Sequence, residues 1–265
     1  MSATVRGLAA AAVAARGLTR LTQGLPAHLR QRWERPNHAG AAVTLLEGPI
    51  AVGAALAGVL AQPRGRTAAT LVVLVPGVLG AVDDLVGDSG TKGLGGHLRA
   101  LRSGRVTTGA VKLGGLGAVA IAAALLEDGE SPPSLSLVDA VVIAGTANLV
   151  NLLDLRPGRA LKVTTAAGLV LLGSSASRPL AGALVGAAAV VPEDLAGESM
   201  LGDCGANALG GLLGLALVRG LGPRGRLAAA AVVTGLTLLS ERVSFTRVIE
   251  GTPVLREIDA WGRPR

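Results

Sequence analysis

Eight apolar runs, each closed by charge, proline or glycine, constrain this chain more than any other feature of its sequence. They lie at Ala41 to Leu60, Thr67 to Val82, Val106 to Leu126, Ser136 to Leu153, Leu161 to Gly173, Pro179 to Val191, Cys204 to Val218 and Leu227 to Leu239. A helix needs roughly 20 residues to cross about 30 Å of hydrocarbon, so several runs must extend into flanking Ser, Thr and Gly to serve as spans. The runs at Leu161 to Gly173 and Pro179 to Val191 are the weakest. Val5 to Leu21 carries Arg6, Arg16 and Arg20, which suits either a poor further span or an interfacial amphipathic helix. No cleavable signal peptide is expected, because Arg16 and Arg20 follow the apolar Leu8 to Ala15 where small residues should lie.

The composition agrees with lipid as part of the solvent. Half the residues are apolar and only 16% are charged, which is too greasy for a soluble domain of 265 residues. Ala, Leu, Val and 39 Gly dominate, with one Phe, two Trp and no Tyr, so helices must meet through small residues rather than stacked rings. The net charge of +7 is scattered between apolar runs without stacking aromatics, which argues against nucleic acid as a partner. A lone Cys204 cannot form an intrachain disulfide.

With eight spans, the segments before Ala41, from Asp83 to Arg105, from Asp154 to Ala160, from Pro192 to Asp203 and after Ser240 share one side. That side holds about 15 of the Lys and Arg, against about 6 opposite, and the positive-inside rule makes it cytoplasmic. The opposite side includes the acidic loop Glu127, Asp128 and Glu130. No linker or internal repeat divides the chain. The expectation is an all-α, polytopic transmembrane helix bundle of about eight to ten spans with a cytoplasmic active-site cleft. It forms one domain over 1–265, with an N-terminal segment 1–40, a core 41–240 and a cytoplasmic tail 241–265.

Three polar clusters fall on the shared side. Asp83, Asp84 and Asp88 close a span, where adjacent carboxylates repel one another unless a divalent cation takes their oxygens, or simply mark a solvated helix end. Asn148, Asn151 and Asp154, spaced by three, share a helix face and suit either a substrate or interhelical hydrogen bonds. Gly202-Asp203-Cys204-Gly205 enters a span, with Asp203 either presenting a ligand site beside a helix N-terminus or capping its own helix. Lys112 lies about two turns inside a span and must snorkel or pair with an anion. Beside the basic segment containing Lys92, His97, Arg99, Arg102 and Arg105, this set predicts a metal-assisted site for phosphate-bearing substrates.

In order and spacing these motifs resemble the polyprenyl-phosphate N-acetylhexosamine-1-phosphate transferases, which include the lipid I translocase. The match runs from Asp83-Asp84 through Asn148-x-x-Asn151-x-x-Asp154 to Gly202-Asp203-x-Gly205, with an echo in Arg35-Pro36-Asn37-His38-Ala39-Gly40. The resemblance implies transfer of a sugar 1-phosphate from a UDP-sugar to a polyprenyl phosphate lipid at the cytoplasmic face of the inner (plasma) membrane, using Mg2+. It implies catalytic and metal roles for Asp83, Asp84 and Asp203, and substrate contacts from Asn37, Lys112, Asn148, Asn151 and Asp154. A homodimer is left open.

The sequence departs from the family in two places. After Asp154 the family has a Gly and a second Asp before another Gly, where this chain has Leu155-Arg156-Pro157-Gly158-Arg159. The family's late histidine cluster is also missing: His28, His38 and His97 all fall early, and the tail offers Arg and Glu instead. These departures keep a non-catalytic or altered-substrate homologue in view. Intramembrane prenyltransferases need two Asp-rich motifs, and only Asp83, Asp84 and Asp88 come close. A small transporter would explain Glu47 near Pro49 inside the first clear span.

Overall fold

The computed structural model describes residues 1–37, 40–86, 93–127 and 133–263, and within them the chain is mostly helical. Asp88, Lys92, His38, Asp128 and Glu130 lie outside the described residues. Helix α1 (Ala3–Gln23) leads through the short α2 (Ala27–Gln31) into a hairpin of β1 (Glu34–Pro36) and β2 (Ala42–Thr44). Then come α3 (Glu47–Leu60), α4 (Arg66–Val86), α5 (Gly93–Arg102), α6 (Thr108–Glu127) and α7 (Pro133–Leu153). The second half holds α8 (Arg159–Leu171), α9 (Arg178–Ala187), α10 (Val191–Leu195), α11 (Gly202–Gly220), α12 (Pro223–Ser240), α13 (Phe245–Gly251) and α14 (Pro253–Ala260).

Each expected apolar run is helical over most of its length, with one difference at the start. The run from Ala41 opens as strand β2, and its helix begins only at Glu47. Among the described residues, three helices are long and apolar enough to cross a membrane: Arg66–Val86, Thr108–Glu127 and Ser134–Leu153. A fourth crossing is possible by length if α12 and α13, bent by 95°, count as one span. At about 1.5 Å per residue, the 13 residues of α8 and the 10 of α9 are too short to cross about 30 Å by themselves. Helix α9 is buried in the bundle along most of its length, whereas α8 leaves Val163, Leu169 and Val170 exposed.

Small residues explain how that interior closes. Helix α11 is buried along nearly its whole length between α7 and α4. A Cβ added at Gly210 would come within 2.7 Å of the Ala147 Cα, and one at Gly214 within 2.7 Å of the Ile143 Cα, so this i, i+4 pair lets α11 lie directly on α7. Gly211 meets the Val72 carbonyl of α4 in the same way. Helix α1 presents Gly7, Ala11 and Ala15, one residue per turn, to α3 and α9. Its small-residue face is therefore packed into the bundle.

Candidate active site

Three glycines bring the start of α11 against α4 and α3. A Cβ on Gly205 would lie 2.9 Å from the Gly48 Cα, and one on Gly48 would press on Cys204, while Gly80 abuts the Asp203 backbone. Gly202 has φ +60, a left-handed conformation, and a side chain there would meet the Asp84 carboxylate at 2.9 Å. These contacts deliver the N-terminus of α11, which has no side-chain cap of its own, to the C-terminal end of α4.

Asp84 supplies that cap from another helix. Its Oδ1 accepts from the Asp203 N–H at 3.0 Å and its Oδ2 from the Cys204 N–H at 2.9 Å, so two otherwise orphaned donors are satisfied by a carboxylate at the positive end of a helix dipole. The capping role that the sequence offered to Asp203 thus belongs to Asp84. Arg35, on β1, donates to the Asp84 carbonyl oxygen and ties the hairpin to this corner.

Asp83 and Asp203 face Lys112. The Lys112 Nζ lies 2.8 Å from Asp83 Oδ2 and 2.5 Å from Asp203 Oδ2, so one ammonium from α6 bridges carboxylates on α4 and α11. Lys112 therefore pairs with anions rather than snorkelling to the surface. Asn207, one turn into α11, donates to the Asp203 carbonyl at 2.7 Å and steadies that turn. Residues 83, 84, 112 and 203, far apart in sequence, form one constellation at one end of the bundle.

The other expected residues divide. Asp154 is buried just beyond α7, accepts from the Gly202 backbone and lies close enough to Asp84 and Asp203 to feel their charge. Burial first, then the carboxylate of Asp194, holds its acid group well above the usual range. Asn148 points toward α12, where its amide donates to the Thr237 hydroxyl at 3.4 Å, the interhelical bond weighed from sequence. Asn151 is half-buried on the same helix. Asn37 closes the β-hairpin turn: its Oδ1 accepts from the Ala41 N–H at 3.1 Å and its own N–H reaches the Ala41 carbonyl at 2.8 Å.

The loop after Asp154 and the C-terminal tail meet in space. Arg159 makes a two-pronged ion pair with Asp259 of α14, at 2.7 and 3.0 Å, and reaches the Thr246 hydroxyl at 3.2 Å. Arg156 pairs with Glu250 at 2.7 Å, and Arg263 donates to the Pro157 carbonyl at 2.9 Å. The loop after Asp154 is therefore a latch for the C-terminal helices. Sequence reasoning noted both segments but had no signal that paired them.

Asp194 escaped notice altogether, since Pro192-Glu193-Asp194 matches no motif. It is buried, its Oδ1 caps the Gly158 N–H at 2.9 Å, and burial pushes it up to about 6 despite that bond. Neither a family model nor a curated protein matches the chain.

The donor set can be tested against magnesium. Among the described residues, no three His, Cys, Asp or Glu side chains are arranged to hold a metal ion. Asp84 is engaged as a cap, which leaves Asp83 and Asp203, each with a second oxygen not shared with Lys112. Magnesium is commonly held by one or two carboxylates together with substrate phosphates and water, so this pair fits it.

Proposed function

We propose that this chain transfers a sugar 1-phosphate, an N-acetylhexosamine 1-phosphate, from a UDP-sugar to a polyprenyl phosphate for cell-envelope glycan synthesis. The observation that carries the proposal is the Asp83–Lys112–Asp203 bridge across three helices, joined to Asp84 and lying beside Asp154. Carboxylates concentrated beside a lysine suit a divalent cation carrying a pair of phosphate groups better than an uncharged ligand. On this reading the bundle crosses the plasma membrane several times, with its constellation in a cleft on the cytoplasmic side, where UDP-sugars are found.

In this proposal Asp83 and Asp203 hold magnesium, which when bound supplies charge neutralisation for the phosphates. Lys112 orients the two carboxylates and offers N–H donors to a phosphate oxygen. Asp84 fixes the start of α11, so its role is positioning. Asp154 and Asn151 stand on the nucleotide-sugar side of the cleft. A phosphate monoester is already largely ionised near neutral pH, so placing the lipid phosphate in line matters more than deprotonating it.

A second reading, an altered-substrate or non-catalytic homologue, is favoured by one observation: the arginines that replace the family's second Asp are committed to the tail through Asp259 and Glu250. Magnesium-dependent UMP release separates the two. Purified protein is offered a panel of UDP-N-acetylhexosamines with undecaprenyl phosphate. Wild type should release UMP with one donor, and Asp83→Asn and Asp203→Asn should each lower the rate by about a thousandfold, as expected when a metal-holding carboxylate in a phosphoryl-transfer site is lost. No release with any donor from folded protein sinks the transferase reading and leaves the homologue.

A further inference from the structure

The C-terminal tail is turned the wrong way round for a segment in water. The carboxylates that fix it point at the protein: Asp259 of α14 takes Arg159 and Glu250 of α13 takes Arg156, each at 2.7 Å, while the Lys162 ammonium donates to the Asp259 carbonyl at 2.7 Å. The large apolar side chains point away. Val254, Leu255 and Ile258 of α14 are 66, 41 and 55% exposed, and Trp261, just past the helix, is 76% exposed. Spacings of four and three line up Val254, Ile258 and Trp261 on one stripe, away from Asp259.

A single exposed aliphatic group is ordinary, but a stripe held outward by ion pairs marks a surface that something covers. What covers it follows from its depth. Helices α4 and α7, both long and apolar enough to cross a membrane, end together at the aspartate constellation. Arg156 and Arg159, which grip the tail, follow directly on α7. The tail is therefore held at the level where these helices would leave the hydrocarbon.

Its place around the bundle points the same way. Helix α12 packs chiefly on α7 and exposes Val232, Leu236 and Leu238, so it forms an apolar outer edge. At its end the chain turns by 95° into α13, which runs across the line of α12 and exposes Val248. The apolar surface of α12 thus continues into the tail. A helix lying across a span, at the level where spans end and with a tryptophan on its apolar side, has the arrangement of an interfacial segment.

We propose that α13, α14 and Trp261 form a platform that docks on the lipid bilayer itself, with Val254, Ile258 and Trp261 seated at the boundary between headgroups and acyl chains. The ion pairs on its other side then tie the loop after Asp154 to the membrane surface. This docking rests on the membrane-length helices and stands whether or not the aspartate constellation transfers phosphosugars.

The chain has two tryptophans, so Trp33→Phe leaves Trp261 as the reporter. The full-length variant is placed in nanodiscs of phosphatidylcholine with or without bromine high on the acyl chains. Trp261 emission is expected to be blue-shifted, quenched by the brominated lipid and shielded from aqueous iodide. Ile258→Glu in the same background should lose most of the lipid quenching and gain iodide quenching, because a carboxylate resists the acyl boundary, while Arg256→Gln on the far side of α14 changes neither. Should Trp33→Phe not fold, a spin label on Ile258→Cys takes its place, Cys204 being buried, and it should meet dissolved oxygen more often than an aqueous nickel chelate. Trp261 that is quenched by iodide and not by brominated lipid, or a label that meets the chelate more often, would overturn the proposal. A blue shift without lipid quenching would overturn it as well, since a second copy or another protein would then cover the stripe.

Discussion

The two ends of the bundle treat their charges in opposite ways. At the end formed by the start of α7, the close of α6 and the join between α11 and α12, every carboxylate described has its own arginine. Glu127 receives both prongs of Arg219 at 2.6 and 2.7 Å, and the same guanidinium reaches the Gly65 carbonyl at 2.6 Å. Asp139, fully buried, faces Arg226 at 2.7 Å. At the other end Asp83 and Asp203 share Lys112 beside the capping Asp84, and Asp154, Asp194, Glu47 and Glu193 crowd nearby. Two arginines at that end, Arg156 and Arg159, are spent on the tail. One end uses charge to fasten helices, and the other keeps carboxylates in excess, which is stable only where solvent, a cation or a ligand completes them.

The largest effect should come from breaking a fastened pair. Arg226→Ala leaves the Asp139 carboxylate buried without its guanidinium, and the expected loss is about 3–5 kcal/mol of stability. Replacing both partners with leucine should recover most of it, and thermal unfolding in detergent reads both variants. Magnesium should not rescue Arg226→Ala. Lys112→Met is the matching change at the acidic end, where Asp83 and Asp203 are partly exposed, so the loss should be smaller, about 1–3 kcal/mol. There added magnesium should raise the melting temperature more for the variant than for wild type. Equal responses to magnesium at the two ends would erase the distinction between them.

Most of the helices were legible in the sequence because apolar runs ended by Gly, Pro or charge are a local signal. The convergence of Asp83, Asp84, Asp154 and Asp203 was legible too, through the alternation of sides. Their partners were not. Nothing local says that Asp84 caps a helix 119 residues away or that Asp83 and Asp203 share Lys112. The three-residue spacing placed Asn148 and Asp154 on one face but could not say that Asn148 would turn to Thr237. The short helices α8 and α9 could not be told from spans in the sequence, because burial inside a bundle and burial in lipid select the same residues. The Arg159–Asp259 latch needed the fold, since its halves lie 100 residues apart.

The smallest effect expected is a pH dependence that contrasts Asp194 with Asp139, two equally buried acids with different company. Asp194 has no arginine paired to it as Asp139 has; burial raises it to about 6, and the Gly158 N–H, Arg263 and Lys162 only partly offset the cost. Because the folded protein binds this proton more tightly than the unfolded chain, whose carboxyl titrates near 4, the favourable contribution is complete below about 4 and is lost as pH rises through about 6. Asn at this position keeps an oxygen for the Gly158 N–H without the charge. Asp194→Asn should therefore gain stability on wild type as pH goes from about 4.5 to 6.5, with a slope of at most about 1.4 kcal/mol per pH unit, and should hold that advantage at higher pH. Burial also raises the neighbouring Asp154, so the comparison is the difference between variant and wild-type melting at each pH. A difference that stays flat or shrinks over that window would mean that Asp194 is as well compensated as Asp139, and Asp194 would then drop out of the excess of carboxylates at this end.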